Sequence, residues 1–146
     1  MKQSEFISRL DQARITAAIG EAESQTSGEI RVHVQPKTYG FEIKTVAEKT
    51  FERLGMTKTA LHNGVLLFIA AEEQRFYICG DKGIDEKVPA GFWDDVAAKL
   101  TERFKAAEFT EGIVDAITAA GEHLKTYFPR AADDVNELPD DIDVEE

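Results

Sequence analysis

The spacing of apolar residues changes several times along this chain, and each change marks an element. Phe6, Leu10, Ala13, Ala17 and Ala18 recur at helical spacing, which predicts one helix over residues 4–24 with Ser4 as its N-cap. "EIRVHVQ" (29–35) then alternates strictly, with Ile30, Val32 and Val34 on one side and Arg31 and His33 on the other. That is the pattern of a half-buried strand. Pro36 and Gly40 punctuate a loop, and Val46, Ala47, Thr50, Phe51 and Leu54 predict a second helix over 42–54. "NGVLLFIAA" (63–71) is continuously apolar, as in a central strand covered on both faces. A polar turn at 72–74 leads into "RFYIC", and so short a connection makes the two strands an antiparallel hairpin. Phe92, Trp93, Val96, Ala97, Leu100 and Phe104 mark a third helix. Ile113, Ile117, Ala120, Leu124 and Phe128 mark a fourth, which ends at Pro129.

The order is therefore helix, strand, helix, strand, strand, helix, helix. A helix joins the first two strands, so they are expected to run parallel, and the third to run antiparallel to the second. This predicts an α/β fold in which a small mixed β-sheet is sandwiched by about four helices. One domain is expected over residues 1–130, followed by an acidic, disordered tail over 131–146.

Charge refines that division. The chain of 146 residues carries a formal charge of −11, of which −8 falls in 131–146, leaving −3 for the rest. Neither part has the basic stripe that nucleic-acid binding needs. No stretch is long and apolar enough to span a membrane, and the amphipathic start "MKQSEFISRLDQAR" is not a signal peptide. The single cysteine, Cys79, makes no intramolecular disulfide and reads as a small core residue. A soluble, cytoplasmic monomer is the expectation.

The chemistry worth placing lies in "CGDKGIDEKVPAGFWDD" (79–95), which sets Asp81, Asp85, Glu86, Asp94 and Asp95 around three glycines and a proline. The predicted strand directions bring the start of the first strand, the start of the second and the end of the third to one sheet edge. Glu29, His62, Asn63 and Asp81 converge there, and the following loop brings Asp85 and Glu86. Such an edge is either a solvated acidic turn or an oxygen-rich site for a hard cation. The spacing is not that of an EF-hand, and no catalytic triad, phosphate loop, zinc motif or dinucleotide fingerprint is present. In the tail, "ELPDDIDVEE" spaces Leu138, Ile142 and Val144 among acids, a pattern open to two readings: solubilising end or docking motif.

Taken together, "SGEIRVHV" (27–34), "NGVLLFIA" (63–70), "GDKGIDEKVP" (80–89), "FW" (92–93), "EGIVDAI" (111–117) and "GEHLKTYFP" (121–129) resemble the TPM domain family, especially its short soluble bacterial members. The resemblance implies an α/β sandwich and divalent-cation binding by acidic loop residues at the sheet edge. Carried onto this chain, it implies Glu29, Asp81 and Asp85 as metal ligands, with Ca2+ or Mg2+ as the cofactor. The family also carries a phosphatase label; this chain has Ala90 where members often place an acid. The expectation is a non-enzymatic divalent-cation-binding module acting through a protein partner. Its alternatives are a weak metal-dependent phosphatase and a passive scaffold that uses the acidic tail.

Overall fold

A computed structural model of the protein describes residues 1–130 and 140–145. Among the described residues, six α-helices surround a four-stranded sheet: α1 (Gln3–Ser8), α2 (Gln12–Glu23), β1 (Glu29–Gln35), α3 (Ile43–Arg53), β2 (Gly64–Ala70), β3 (Arg75–Gly80), α4 (Lys82–Asp85), α5 (Asp94–Lys105), α6 (Phe109–Tyr127) and β4 (Asp143–Val144). The sheet order is β3-β2-β1-β4. β1 and β2 run parallel from Glu29↔Gly64 to Gln35↔Ala70, and β2 and β3 form the antiparallel hairpin from Val65↔Gly80 to Ala70↔Arg75. The mixed α/β sandwich is thus as the apolar periodicity predicts.

Alternation within the strands sorts the two layers of core. Ile30, Val32, Val34, Val65, Leu67 and Ile69 join the apolar stripes of α2, α5 and α6 in the larger cluster. Leu66, Phe68, Ala70 and Cys79 face the other way, onto Ala47, Phe51 and Met56 of the α3 side. β2, central in order and covered on both faces, has every residue buried.

Three expectations are corrected. The first helix is two: α1 ends at Ser8, and Asp11 caps α2 by accepting a hydrogen bond from the Arg14 amide (3.1 Å). An N-cap aspartate competes well with helix continuation, so the chain restarts there. Ser4 lies inside α1 rather than before it. β1 is buried along its whole length, because its polar face is covered too. His33 stacks on Phe68 with ring centroids 5.2 Å apart, and its two ring nitrogens meet Asp143 (2.6 Å) and Gln35 (2.8 Å).

The third correction concerns the tail. Residues 131–139 and 146 lie outside the described residues, and with them Leu138 of the expected docking motif. Residues 140–145, expected to be disordered, instead return to the sheet. β4 pairs parallel with β1 through His33↔Asp143 and Val34↔Val144, and Ile142 is buried. Composition hid this because one buried apolar side chain and the ion pairs of Asp141 and Asp143 with Arg31, His33 and Arg53 anchor so short a strand. Among the described residues, no helix is long and apolar enough to cross a membrane.

Candidate functional site

The sheet edge carrying the N-termini of β1 and β2 is built by three loops. The first, before β1, is tied to the end of α6: the Thr26 hydroxyl and the Ser27 amide both donate to the Phe128 carbonyl. The second, before β2, is tied to the first through the Asn63 side-chain amide, which donates to Ser27 Oγ (3.2 Å). The third follows β3 and crosses the second, where the Gly83 amide donates to the His62 carbonyl (2.9 Å). His62 turns that second loop in a left-handed conformation, φ +50°.

Asp81 begins the third loop. Its amide donates to the Gly64 carbonyl (2.9 Å), which continues the β2–β3 ladder by one residue. Its Oδ1 caps α4 by accepting from the Lys82 amide (2.8 Å). Its Oδ2 is buried without a hydrogen-bond partner among the described residues. His62 Nδ1 lies in ion-pair range of it, 3.4 Å away, and is likewise buried without a hydrogen bond among the described residues. A buried carboxylate oxygen left this way is costly, and a partner that supplies positive charge removes the cost.

Glu29 opens β1 and is 3% exposed. Across the register Glu29↔Gly64, and Gly64 to Asp81, it stands two strands from Asp81, about 10 Å at ordinary strand spacing. Its side chain interacts with Glu23, the last residue of α2. Glu23 is 4% exposed; one oxygen accepts from the Ile30 amide (2.8 Å), and the other is buried without a hydrogen-bond partner of its own. Burial, then contact with Asp140, pushes the Glu23 carboxyl up to about 10, with Glu29 adding to the effect against the Ile30 hydrogen bond. Glu23 therefore keeps a proton at neutral pH.

The three residues expected to bind metal are thus divided. Glu29 and Asp81 do lie on one buried edge, but Glu29 is engaged with Glu23. Asp85, at the end of α4, is exposed. Among the described residues, no three His, Cys, Asp or Glu side chains form a group able to hold a metal ion. Sequence reasoning missed Glu23 and Asp140. Glu23 reads as the polar side of a helix, and Asp140 as tail; only the burial of the α2 terminus and the return of the chain to β1 bring them together.

Cys79, at the end of β3, is no nucleophile. Burial, then the charges of Glu48, Asp85 and Asp81, pushes its thiol up to about 12. It stays protonated at neutral pH and packs as part of the smaller core cluster.

The raised Glu23 carboxyl gives a signed test. Unfolded, the group loses its proton near 4.5; folded, it holds it to about 10. Its contribution to stability is fullest below pH 4.5 and declines as pH rises toward 10. Glu23→Gln copies the protonated form and keeps an acceptor for the Ile30 amide. In metal-free buffer the variant should be more stable than the parent at pH 8, by a margin that narrows toward pH 5. Urea melts at the two pH values read this directly; an equal margin at both would refute the buried proton.

A family model described as TPM domain matches residues 1–123. No curated protein matches the chain significantly. The NMR structure of BA42 protein from the psychrophilic bacterium Bizionia argentinensis is 42% identical, covers 92% of both chains and superposes with a TM-score of 0.86. The N-terminal domain of a P. gingivalis protein shares the fold at 17% identity and TM-score 0.66, over 82% of this chain and 78% of that one. The N-terminal domain of cg2496 from Corynebacterium glutamicum does so at 15% and 0.60, over 77% and 70%.

Proposed function

The chain belongs to the TPM domain family, and on that premise we propose that it is a non-enzymatic, divalent-cation-responsive module that acts through a protein partner. The observation that carries this reading is the buried Asp81 Oδ2, which lacks a hydrogen-bond partner at the crossing of two loops. The groups around it suit a hard ion such as Ca2+ or Mg2+. Asp81 supplies charge, and the Leu61 and His62 carbonyl oxygens lie against Gly83 of the same loop. Glu29, engaged with Glu23, stands two strands away on the same edge, and Asp85 stands at the rim.

A cation held there relieves the desolvated carboxylate and ties the loop 59–63 to the loop 81–85. Leu61, exposed on the first of these loops, is then presented in a fixed position, which gives a partner an apolar contact whose geometry depends on the ion. The same reading makes the protein a cytoplasmic monomer between encounters with that partner. The alternative of a weak metal-dependent phosphatase has no specific observation in its favour.

Backbone amide NMR during a calcium and then a magnesium titration tests the reading. Saturable shifts confined to residues 27–30, 61–64 and 80–86 are expected, and Asp81→Asn should weaken the response by an order of magnitude or more. A flat titration at millimolar ion, or a response that survives Asp81→Asn unchanged, would sink it.

A further inference from the structure

The opposite end of the sheet carries a second feature that the cation reading does not use. A cavity of about 630 Å³ opens between α1, the β2–β3 turn and the end of α5. We propose that this cavity is a binding site for a linear medium-chain carboxylate.

Phe6, Phe76, Phe104 and Phe109 line it. They interlock edge-to-face, with centroids 5.0 Å apart for Phe6–Phe109, 5.6 Å for Phe104–Phe109, and 6.1 Å for both Phe6–Phe104 and Phe76–Phe104. The open volume is not a general looseness of this layer. On its other side Phe104 is packed so closely that a Cβ on Gly112 would come within 3.2 Å of it and 3.0 Å of Arg103 Cβ. A tight helix pair thus borders a void large enough for a small molecule, in the range of roughly 300–1,000 Å³ usual for such sites.

The mouth says what the headgroup is. In a chain with charge −11, the charged side chains lining this cavity are Arg75 and Lys105, both cations. The adjacent acids are committed elsewhere: Glu72 accepts from the Gln3 amide (3.0 Å), and Glu73 accepts from the Thr38 amide and hydroxyl (3.1 and 3.0 Å). Glu73 forms an ion pair with Arg75 Nη1 at 3.8 Å, too long for a hydrogen bond, so the guanidinium keeps N–H donors to offer a carboxylate at hydrogen-bonding distance. Gln74 and Ala107, which also line the cavity, both hold a left-handed backbone, φ +55° and +61°. Such conformations cost energy in residues with a Cβ and gather at binding sites. An apolar body against phenylalanine and an anionic head between two cations describe one ligand chemistry, a fatty-acid-like carboxylate.

Decanoate, decanol and decylammonium are the probes, used with the full chain in EDTA so that the outcome is independent of the cation site. Decanoate should bind saturably, shift the ring resonances of Phe6, Phe76 and Phe104, and bind at least tenfold more tightly than either control. Thr101→Phe projects a ring into the cavity from α5, where the Thr101 hydroxyl bonds only the Ala97 carbonyl of its own helix. It should abolish binding without lowering the melting temperature. The double variant Arg75→Glu, Lys105→Glu changes exposed positions alone; it should weaken decanoate tenfold or more and leave decanol unaffected. Absence of saturable binding, equal affinity for decanoate and decylammonium, or decanoate binding that survives the charge reversal would each overturn the proposal.

Discussion

Replacing Gly83 with alanine should cost the protein thermal stability and, on the function proposed above, the response to divalent cations. A Cβ at residue 83 would stand 2.5 Å from the carbonyl oxygens of Leu61 and His62, and those atoms are backbone. A flexible side chain can swing away from such a clash. Here two loops must separate, and with them goes the Gly83 amide bond to His62 (2.9 Å). Forced overpacking of this kind costs about 1–3 kcal/mol. For a chain of this size that is a fall of several degrees in melting temperature. The comparison that isolates the cause is Gly80→Ala, three residues away. Its Cβ would meet only the Ile84 side chain, at 3.5 Å or more, an ordinary contact. Calorimetric melts of both variants should place Gly80→Ala near the parent and Gly83→Ala well below it. Calcium titration should then show a weakened response in Gly83→Ala, because the carbonyls and Asp81 no longer share one place. A Gly83→Ala protein that melts with the parent would mean that the crossing is loose, and a loose crossing cannot hold an ion.

Gly83 also illustrates what the sequence conveys and what it conceals. The apolar run 63–71, the alternation in 29–35 and the short turn at 72–74 are enough to place three strands and their directions. From these the shared edge of Glu29 and Asp81 follows. Which way a side chain points at that edge does not follow. Glu29 interacts with Glu23 because α2 ends beside the start of β1, and no periodicity encodes where a helix terminus docks. Arg31, His33 and Gln35 read as a solvent face because alternation reports polarity rather than coverage. His33 is buried because Asp143 and Gln35 satisfy its ring, and Phe68 stacks against it. Residues 140–145 depart from the expected disorder for a related reason. Eight acids among sixteen residues argue for a solvated chain. That average says nothing about Ile142 and Asp143, whose partners lie about 110 residues earlier in the chain.

Truncation after Arg130 should therefore destabilise the domain rather than trim an idle end. It removes β4 and with it the buried Ile142 side chain, roughly 1.5–3 kcal/mol of apolar burial. It also removes the Asp143 carboxylate from His33, a residue with 0% exposure, and a buried donor left unpaired costs about 1–3 kcal/mol more. The Gln3 side-chain bond to the Glu145 carbonyl (2.7 Å) goes too, and so does the Glu145 amide bond to Val34 (2.8 Å). The bare edge of β1 then exposes unpaired backbone groups, so the truncated chain should self-associate more than the full chain. The pH dependence identifies which contact matters. Burial pushes the Asp143 carboxyl up, but the hydrogen bond from His33 and the charges of His33 and Arg53 outweigh it and hold it below its ordinary 3.8. A carboxyl depressed in the folded state contributes fully above its unfolded value and loses that contribution as pH falls through the folded one. Urea melts of the full chain and the Asp143→Ala variant should differ most at pH 5 and above, and converge below pH 4. The truncated chain should remain less stable at both ends of that range, since Ile142 does not titrate. If Asp143→Ala matches the parent at pH 6, the strand is held by its apolar anchor and backbone alone, and His33 has another source of satisfaction.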